Sequence, residues 1–265
     1  MTQPAPRATE SAPTLLRHDS NGVTTLTLNR PKQYNALSAA LLTELQQALD
    51  IISKDRTVRV VVIAGSGPAF CAGHDLKEMR AHYERTTIAA LFAQCSQMML
   101  SLIQLPQPVI ARVHGIATAA GCQLVAQCDL AIAVETARFA TSGINVGLFC
   151  STPAVALTRN VPRKQAMEML LTGGFIDAQT AMARGLVNRV VADDQLDDAV
   201  LQMAEAIKSK PPEALAMGKK LFYDQANLGL AEAYALAADV MACNFMHDEA
   251  AEGVDAFLQK RPPKW

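Results

Sequence analysis

Val58-Arg-Val-Val-Val-Ile-Ala-Gly65 runs straight into Ser66-Gly-Pro-Ala-Phe-Cys-Ala-Gly-His-Asp-Leu-Lys-Glu78, and the junction between the two decides the fold. The first part is β-branched and too apolar to keep one face in water, so it reads as a parallel strand covered on both sides. The second begins with glycines and a proline that force a turn. Its small residues Cys71-Ala72-Gly73 then let backbone approach a ligand closely. Upstream, Gly22-Val-Thr-Thr-Leu-Thr-Leu28 alternates as a strand and stops at Asn29-Arg30-Pro31. Ser38 caps a helix whose Leu41, Leu42, Leu45, Leu49 and Ile52 recur at spacings of three and four. Downstream the pattern repeats, with a helix near 88–104, a strand over 108–113, a helix over 119–128 and strands over 130–134 and 138–140. Such alternation predicts an α/β core of parallel strands with ligands at their carboxyl ends. Beyond about residue 165 helices dominate, over 163–171, 178–183, 196–209, 212–225, 230–246 and 249–259, with one strand over 186–191.

The 265 residues are half hydrophobic and 18% charged, a composition that folds rather than remaining disordered. Lys and Arg number 24 against 25 Asp and Glu, so no net field favours a nucleic-acid or anionic-membrane partner. Aromatic residues, at 5%, are too few for base-stacking platforms. The six cysteines lie within apolar runs, which points to a reducing compartment instead of a disulfide framework. Residues 1–22 read as a loose leader without a signal-peptide core, and no segment approaches about 20 uninterrupted apolar residues, so no membrane span is expected. Cys122 and Cys128 lack a matching histidine pair for zinc, and no metal site is expected. Gly65-Ser-Gly lacks the rest of a dinucleotide fingerprint or P-loop. Met98, Met99, Met167, Met169 and Met241 read as packing on helix faces, and Lys219-Lys220 as solvated charge. Apolar tail helices such as residues 231–242 predict self-association.

A second glycine-bearing turn, His114-Gly-Ile-Ala-Thr-Ala-Ala-Gly-Cys-Gln-Leu124, follows the next strand and opens a small-residue helix. Backbone N–H groups at a helix start have no partner within the helix. Two such turns facing each other can give two donors to one oxygen, which is the physics of an oxyanion hole. The pair resembles the crotonase, or enoyl-CoA hydratase/isomerase, superfamily, whose loops look like F-x-A-G-x-D-[IL]-K-E and H/N-G-x-A-x-G-G-G-x-E. Leu28-Asn-Arg-Pro-Lys-Gln-Tyr-Asn-Ala36, Cys128-Asp129, Arg138-Phe139, Leu171-Thr-Gly173 and Ala183-Arg-Gly-Leu-Val187 agree, and the likeness covers about residues 15–262.

The resemblance implies a crotonase-type spiral of β-β-α units with a helical C-terminal extension: a leader over 1–14, a core over 15–200 and an oligomerisation and lid region over 201–265. It places the two oxyanion donors on the N–H groups of His74 and Ala120, beside Gly121. It places CoA contacts on Arg30, Lys32 and Ala36 and on the stretch from Ala72 through Asp75 to Leu76. It implies an acyl-CoA substrate, no cofactor beyond the coenzyme A of that substrate, and homotrimers or hexamers made of two trimers. The family's hydratases carry a glutamate after the second turn and another about twenty residues later; here those positions hold Gln123 and Gly143. Glutamine does not take a proton at neutral pH and glycine has no side chain, so efficient hydration is not expected. If the scaffold has lost only this acid–base pair, glutamate at both positions restores hydration.

The inferred cavity keeps His74, Gln123, Asn145, Phe149, Cys150 and Ser151. His74 is the best titratable candidate, Gln123 a hydrogen-bonding replacement, and Cys150 a small buried residue rather than a nucleophile. Asp75 and Lys77 read as braces of the loop. Gly-His-Asp also resembles the superfamily's methylmalonyl-CoA decarboxylases, where loss of CO₂ makes the enolate without a base. The stretch 143–153 resembles a subgroup named for its domain rather than for a reaction. An acyl-CoA enzyme, such a decarboxylase and a non-catalytic acyl-CoA-binding protein all remain open, in the cytoplasm or, in a eukaryote, the mitochondrial matrix.

Overall fold

The computed structural model describes residues 13–265, so the expected leader lies outside the described residues except for Pro13 and Thr14. The first element is β1 (Leu15–Ser20), paired antiparallel with β2 (Val23–Leu28). Residues 15–22 are therefore the first strand and turn of a hairpin and not part of a loose leader. Its turn is Asn21-Gly22, both at positive φ (48° and 77°), the pairing that matches the twist of two antiparallel strands. Helix α1 (Ala39–Ile52) follows, with the Ser38 hydroxyl accepting from the Leu41 N–H and the five expected residues buried.

From there the chain runs in turns of one strand in each of two sheets followed by helix. The first turn is β3 (Val60–Gly65), β4 (Ala69–Cys71), α2 (Leu76–Ala81) and α3 (Arg85–Gln104). The second is β5 (Val109–Val113), β6 (Ile116–Thr118) and α4 (Ala120–Gln127). The third is β7 (Leu130–Val134), β8 (Arg138–Ala140), α5 (Ser151–Asn160) and α6 (Arg163–Thr172). The chain then adds β9 (Ile176–Asp177), α7 (Ala178–Ala183), β10 (Arg189–Val191) and α8 (Leu196–Lys208). It closes with α9 (Pro212–Gln225), α10 (Leu230–Phe245) and α11 (Asp248–Leu258). The large sheet is ordered β1-β2-β3-β5-β7-β10 and is parallel from β2 onward; the small one is β4-β6-β8-β9. This is the expected spiral of β-β-α units.

Between the sheet and the helices lies one continuous core, with Val60, Val61, Ile63, Val109, Ile110 and Ile132 at its centre. Helix α3 is, among the described residues, long and apolar enough by length and composition to cross a bilayer, but Thr86, Thr87, Gln94, Ser96, Gln97 and Ser101 interrupt it, so it is not the uninterrupted apolar segment that the sequence was read as lacking. In this fold it lays Leu91, Cys95, Met98, Met99 and Leu102 into the core.

The tail corrects another reading. Lys219 is not solvated charge: its side chain is 7% exposed and its ammonium lies 2.7 Å from Asp129 Oδ2. It also donates to the Leu102 and Gln107 carbonyls. Asp129 accepts in addition from the Val109 N–H at 2.7 Å and the Tyr223 hydroxyl at 2.8 Å, so one carboxylate fastens α9 to the start of β5. Met98, Met99 and Met169 are buried as expected, but Met167 and Met241 are exposed. Helix α10 buries none of its residues fully. With Phe222, Tyr234, Met241, Phe245, Met246 and Phe257 the tail presents a broad apolar surface.

Candidate active site

The two glycine-bearing turns meet. Gly73 has φ +92° and sits so close to the second turn that a Cβ there would lie 2.9 Å from the Ala119 Cβ and 3.1 Å from the Ala120 nitrogen. A Cβ on Gly121 would fall 2.0 Å from the Cys71 carbonyl oxygen, so the first turn of α4 rests directly on the end of β4. His114 Nε2 donates to the Gly67 carbonyl at 2.8 Å, a further tie between the two segments.

Backbone bonds hold the first turn: Ala72 N–H donates to Tyr34 O, Leu37 N–H to Gly73 O, and Asp75 N–H to Leu37 O. Among the described residues nothing accepts from the N–H of His74 or from that of Ala120, the first residue of α4. His74 and Ala120, with Ala72 and Ala119, help to line a cavity of about 490 Å³. Ala119 pays for this geometry with φ +50° and ψ −120°, a conformation that suits glycine. Replacing Ala119 by glycine is expected to stabilise the fold by about 1 kcal/mol. Urea unfolding measures this; an unchanged or lower midpoint means the strain is not there.

Of the remaining expected residues, Leu76, Gly143, Phe149, Cys150 and Ser151 line the same cavity, joined by Met79, Phe92, Val146 and Leu148. Several others do not. Arg30 spends its charge on Asp75 at 2.8 Å and also donates to the Ala36 carbonyl. Asp75 caps α2 by accepting from the Lys77 and Glu78 N–H groups. These two candidate CoA contacts are therefore a brace beneath the loop, as expected for Asp75 but not for Arg30, while the Lys77 side chain is exposed. Ala36 is buried under the same loop, and Lys32 is exposed at its surface. Asn145 turns away from the cavity and donates to the Gly173 carbonyl at 3.3 Å. Gln123 is buried one turn into α4, outside the cavity lining, and among the described residues its Oε1 has no partner. Gly121 is buried against β4.

Gly143 cannot simply regain a side chain. Its Cβ would lie 2.5 Å from the Leu148 carbonyl and 2.9 Å from Cys150 Sγ, and the Leu148 N–H donates to the Gly143 carbonyl at 2.9 Å. Asn35 was missed by sequence reasoning: fully buried at φ +55°, it donates to the Ser66 and Ala69 carbonyls and accepts from the Arg30 N–H. Its signal in the sequence was the residue type, since asparagine is one of the few residues that tolerates the left-handed region it adopts here.

Electrostatically the cavity is quiet. Burial pushes the His74 imidazole below its usual range, so the ring is neutral at pH 7. Burial pushes the Cys150 thiol up. Burial raises the Asp75 carboxyl, but Arg30 together with the Glu78 and Lys77 N–H groups holds it below its usual value. Among the described residues no group of three His, Cys, Asp or Glu side chains is gathered to hold a metal ion.

The sequence profile of the enoyl-CoA hydratase/isomerase family matches residues 18–265. The chain belongs to this family. Mouse enoyl-CoA hydratase domain-containing protein 3, mitochondrial, is 44% identical over 261 residues, 98% of this chain and 87% of that protein. The crystal structure of an enoyl-CoA hydratase from Mycobacterium smegmatis matches with a TM-score of 0.94 at 60% identity, covering 96% of this chain and 99% of that one. Human enoyl-CoA hydratase domain-containing protein 3 matches with a TM-score of 0.93 at 43% identity, covering 95% and 100%. This crotonase membership agrees with the loop motifs, and the relatives include the subgroup that the 143–153 stretch resembles.

Proposed function

We propose that the protein binds an acyl-CoA thioester with its carbonyl oxygen between the N–H groups of His74 and Ala120, and stabilises the thioester enolate. The observation that carries this is the pair of N–H groups, without an acceptor among the described residues, on two residues that line an apolar cavity. Fixed backbone dipoles act most strongly where charge develops on the bound oxygen, and they need no reorganisation as it develops. The acyl chain lies against Leu76, Met79, Phe92 and Phe149. The backbone of Ala72 to Leu76 and exposed Lys32 face the CoA moiety, and coenzyme A enters only as part of the substrate.

Among the described residues neither cation nor carboxylate lines the cavity. A second carboxylate on the acyl group would be desolvated there without a partner, so the lining favours a plain acyl chain over a methylmalonyl-type decarboxylation substrate. In this reading residues 15–200 form the crotonase core. Residues 201–265 form the oligomerisation and lid region, whose exposed apolar surface supports a homotrimer or a hexamer of two trimers. The compartment is a cytoplasm or, in a eukaryote, the mitochondrial matrix.

Calorimetry with octanoyl-CoA tests the reading, using the wild type and Ala120→Pro. Proline suits the first position of a helix, where the lost N–H makes no intrahelical bond. Saturable binding to the wild type is expected, weakened several-fold or more in the variant, with any turnover lowered by about 10²–10³. No binding to the wild type, or equal affinity in the variant, would overturn the assignment.

A further inference from the structure

We propose that the imidazole of His74 is the proton-transfer group of this site, taking a proton from the α-carbon of the bound thioester and returning it. This rests on the acyl-CoA reading above. His74 lines the cavity, and its ring stands edge-on to Phe92 with 5.1 Å between centroids and 84° between planes. Both ring nitrogens are buried and among the described residues neither makes a hydrogen bond of good geometry, although the Leu37 main chain approaches the ring and opposes the effect of burial on it. Orphaned buried polar atoms are uncommon in a folded protein, and a catalytic role is one of the recognised reasons for keeping them.

The placement follows from one residue serving twice. The backbone of His74 donates to the thioester oxygen, and the α-carbon is two bonds from that oxygen, so ring and acidic C–H belong to the same neighbourhood. Rotation about χ2, a broad torsion in histidine, presents a nitrogen to the cavity. In the step the C–H bond breaks and a ring nitrogen takes the proton. The bond's electrons enter the enolate, whose charge rests on the oxygen held by the two N–H groups. The imidazolium exchanges its proton with water and gives one back to the same carbon, so no co-reactant is consumed.

The groups around the ring leave it neutral. α3 contributes Phe92, the preceding loop contributes the backbone of Leu37, and Cys150 lines the cavity as a protonated thiol. Asp75, next in the chain, is paired with Arg30, and Glu78 accepts from the Ala39 N–H. Burial holds the imidazole below its ordinary value near 6.5, so at neutral pH it is a free base.

The test is deuterium incorporation at the α-carbon of octanoyl-CoA in D₂O, read by mass spectrometry at a ligand concentration that saturates each protein. The wild type is expected to exchange, at a rate level near neutrality and falling as pH drops through the depressed imidazole pKa. His74→Gln and His74→Phe both keep the backbone N–H, and exchange in them is expected to fall by about 10²-fold or more. Exchange at the wild-type rate in both variants would overturn the proposal, as would its loss in Cys150→Ser with both His74 variants active. Binding without exchange in the wild type overturns this proposal alone, whereas failure to bind octanoyl-CoA overturns the acyl-CoA reading with it.

Discussion

Crotonyl-CoA offered to this protein at neutral pH is expected to lose its conjugated absorbance at least about 10⁴-fold more slowly than with a family member that carries both glutamates. Each missing acid–base group accounts for about 10²–10⁴ of that factor. Gln123 holds no titratable proton, and at Gly143 the space for a side chain is filled by the Leu148 carbonyl and the Cys150 sulfur. The double reversal Gln123→Glu with Gly143→Glu is therefore expected to lower the unfolding midpoint without restoring hydration. This departs from the expectation that an intact scaffold needs only its two carboxylates back. Rapid hydration by the wild type, or its recovery in the double variant with unchanged stability, would refute the argument.

Asp129→Ala is expected to cost about 3–5 kcal/mol of stability in urea unfolding, because it leaves the Lys219 ammonium buried without its counter-charge. Tyr223 and the Val109 N–H lose their acceptor in the same step. Burial already depresses the Lys219 pKa, with Asp129 opposing it. Combining Asp129→Ala with Lys219→Met is expected to recover much of the loss, since it is the orphaned charge that is expensive. A single-variant loss below about 1 kcal/mol would show that water reaches the ammonium and that α9 is held by packing alone.

Much of the fold was legible where hydrophobic periodicity was clean. β7, β8, α7 and α9 end where the residues said they would, and α1 buries the expected five side chains. What escaped was short or polar. β4 and β6 are three-residue strands inside stretches that read as glycine turns, so the second sheet was not visible. β1 was lost because four of its six residues, Arg17 to Ser20, are polar and exposed on a sheet edge; Asn21-Gly22 was the signal that could have found it. In the site, glycine spacing announced the close approach of the two turns, because close approach is written in residue type. The bonds that divert Arg30 to Asp75, Asn145 to Gly173 and Lys219 to Asp129 span 45, 28 and 90 positions, and no local pattern records them.

The loop that has settled against Gly143 also constrains the history open to this chain. With the Leu148 carbonyl packed against Gly143, no single substitution simply adds a side chain there: any new side chain meets main chain before it meets solvent. Reversion requires the loop at 147–150 to move first, and by itself that movement brings no acid–base group. The closure acts as a ratchet. Descendants of such a chain are expected to explore new acyl-CoA chemistry through His74 rather than to regain the carboxylate pair.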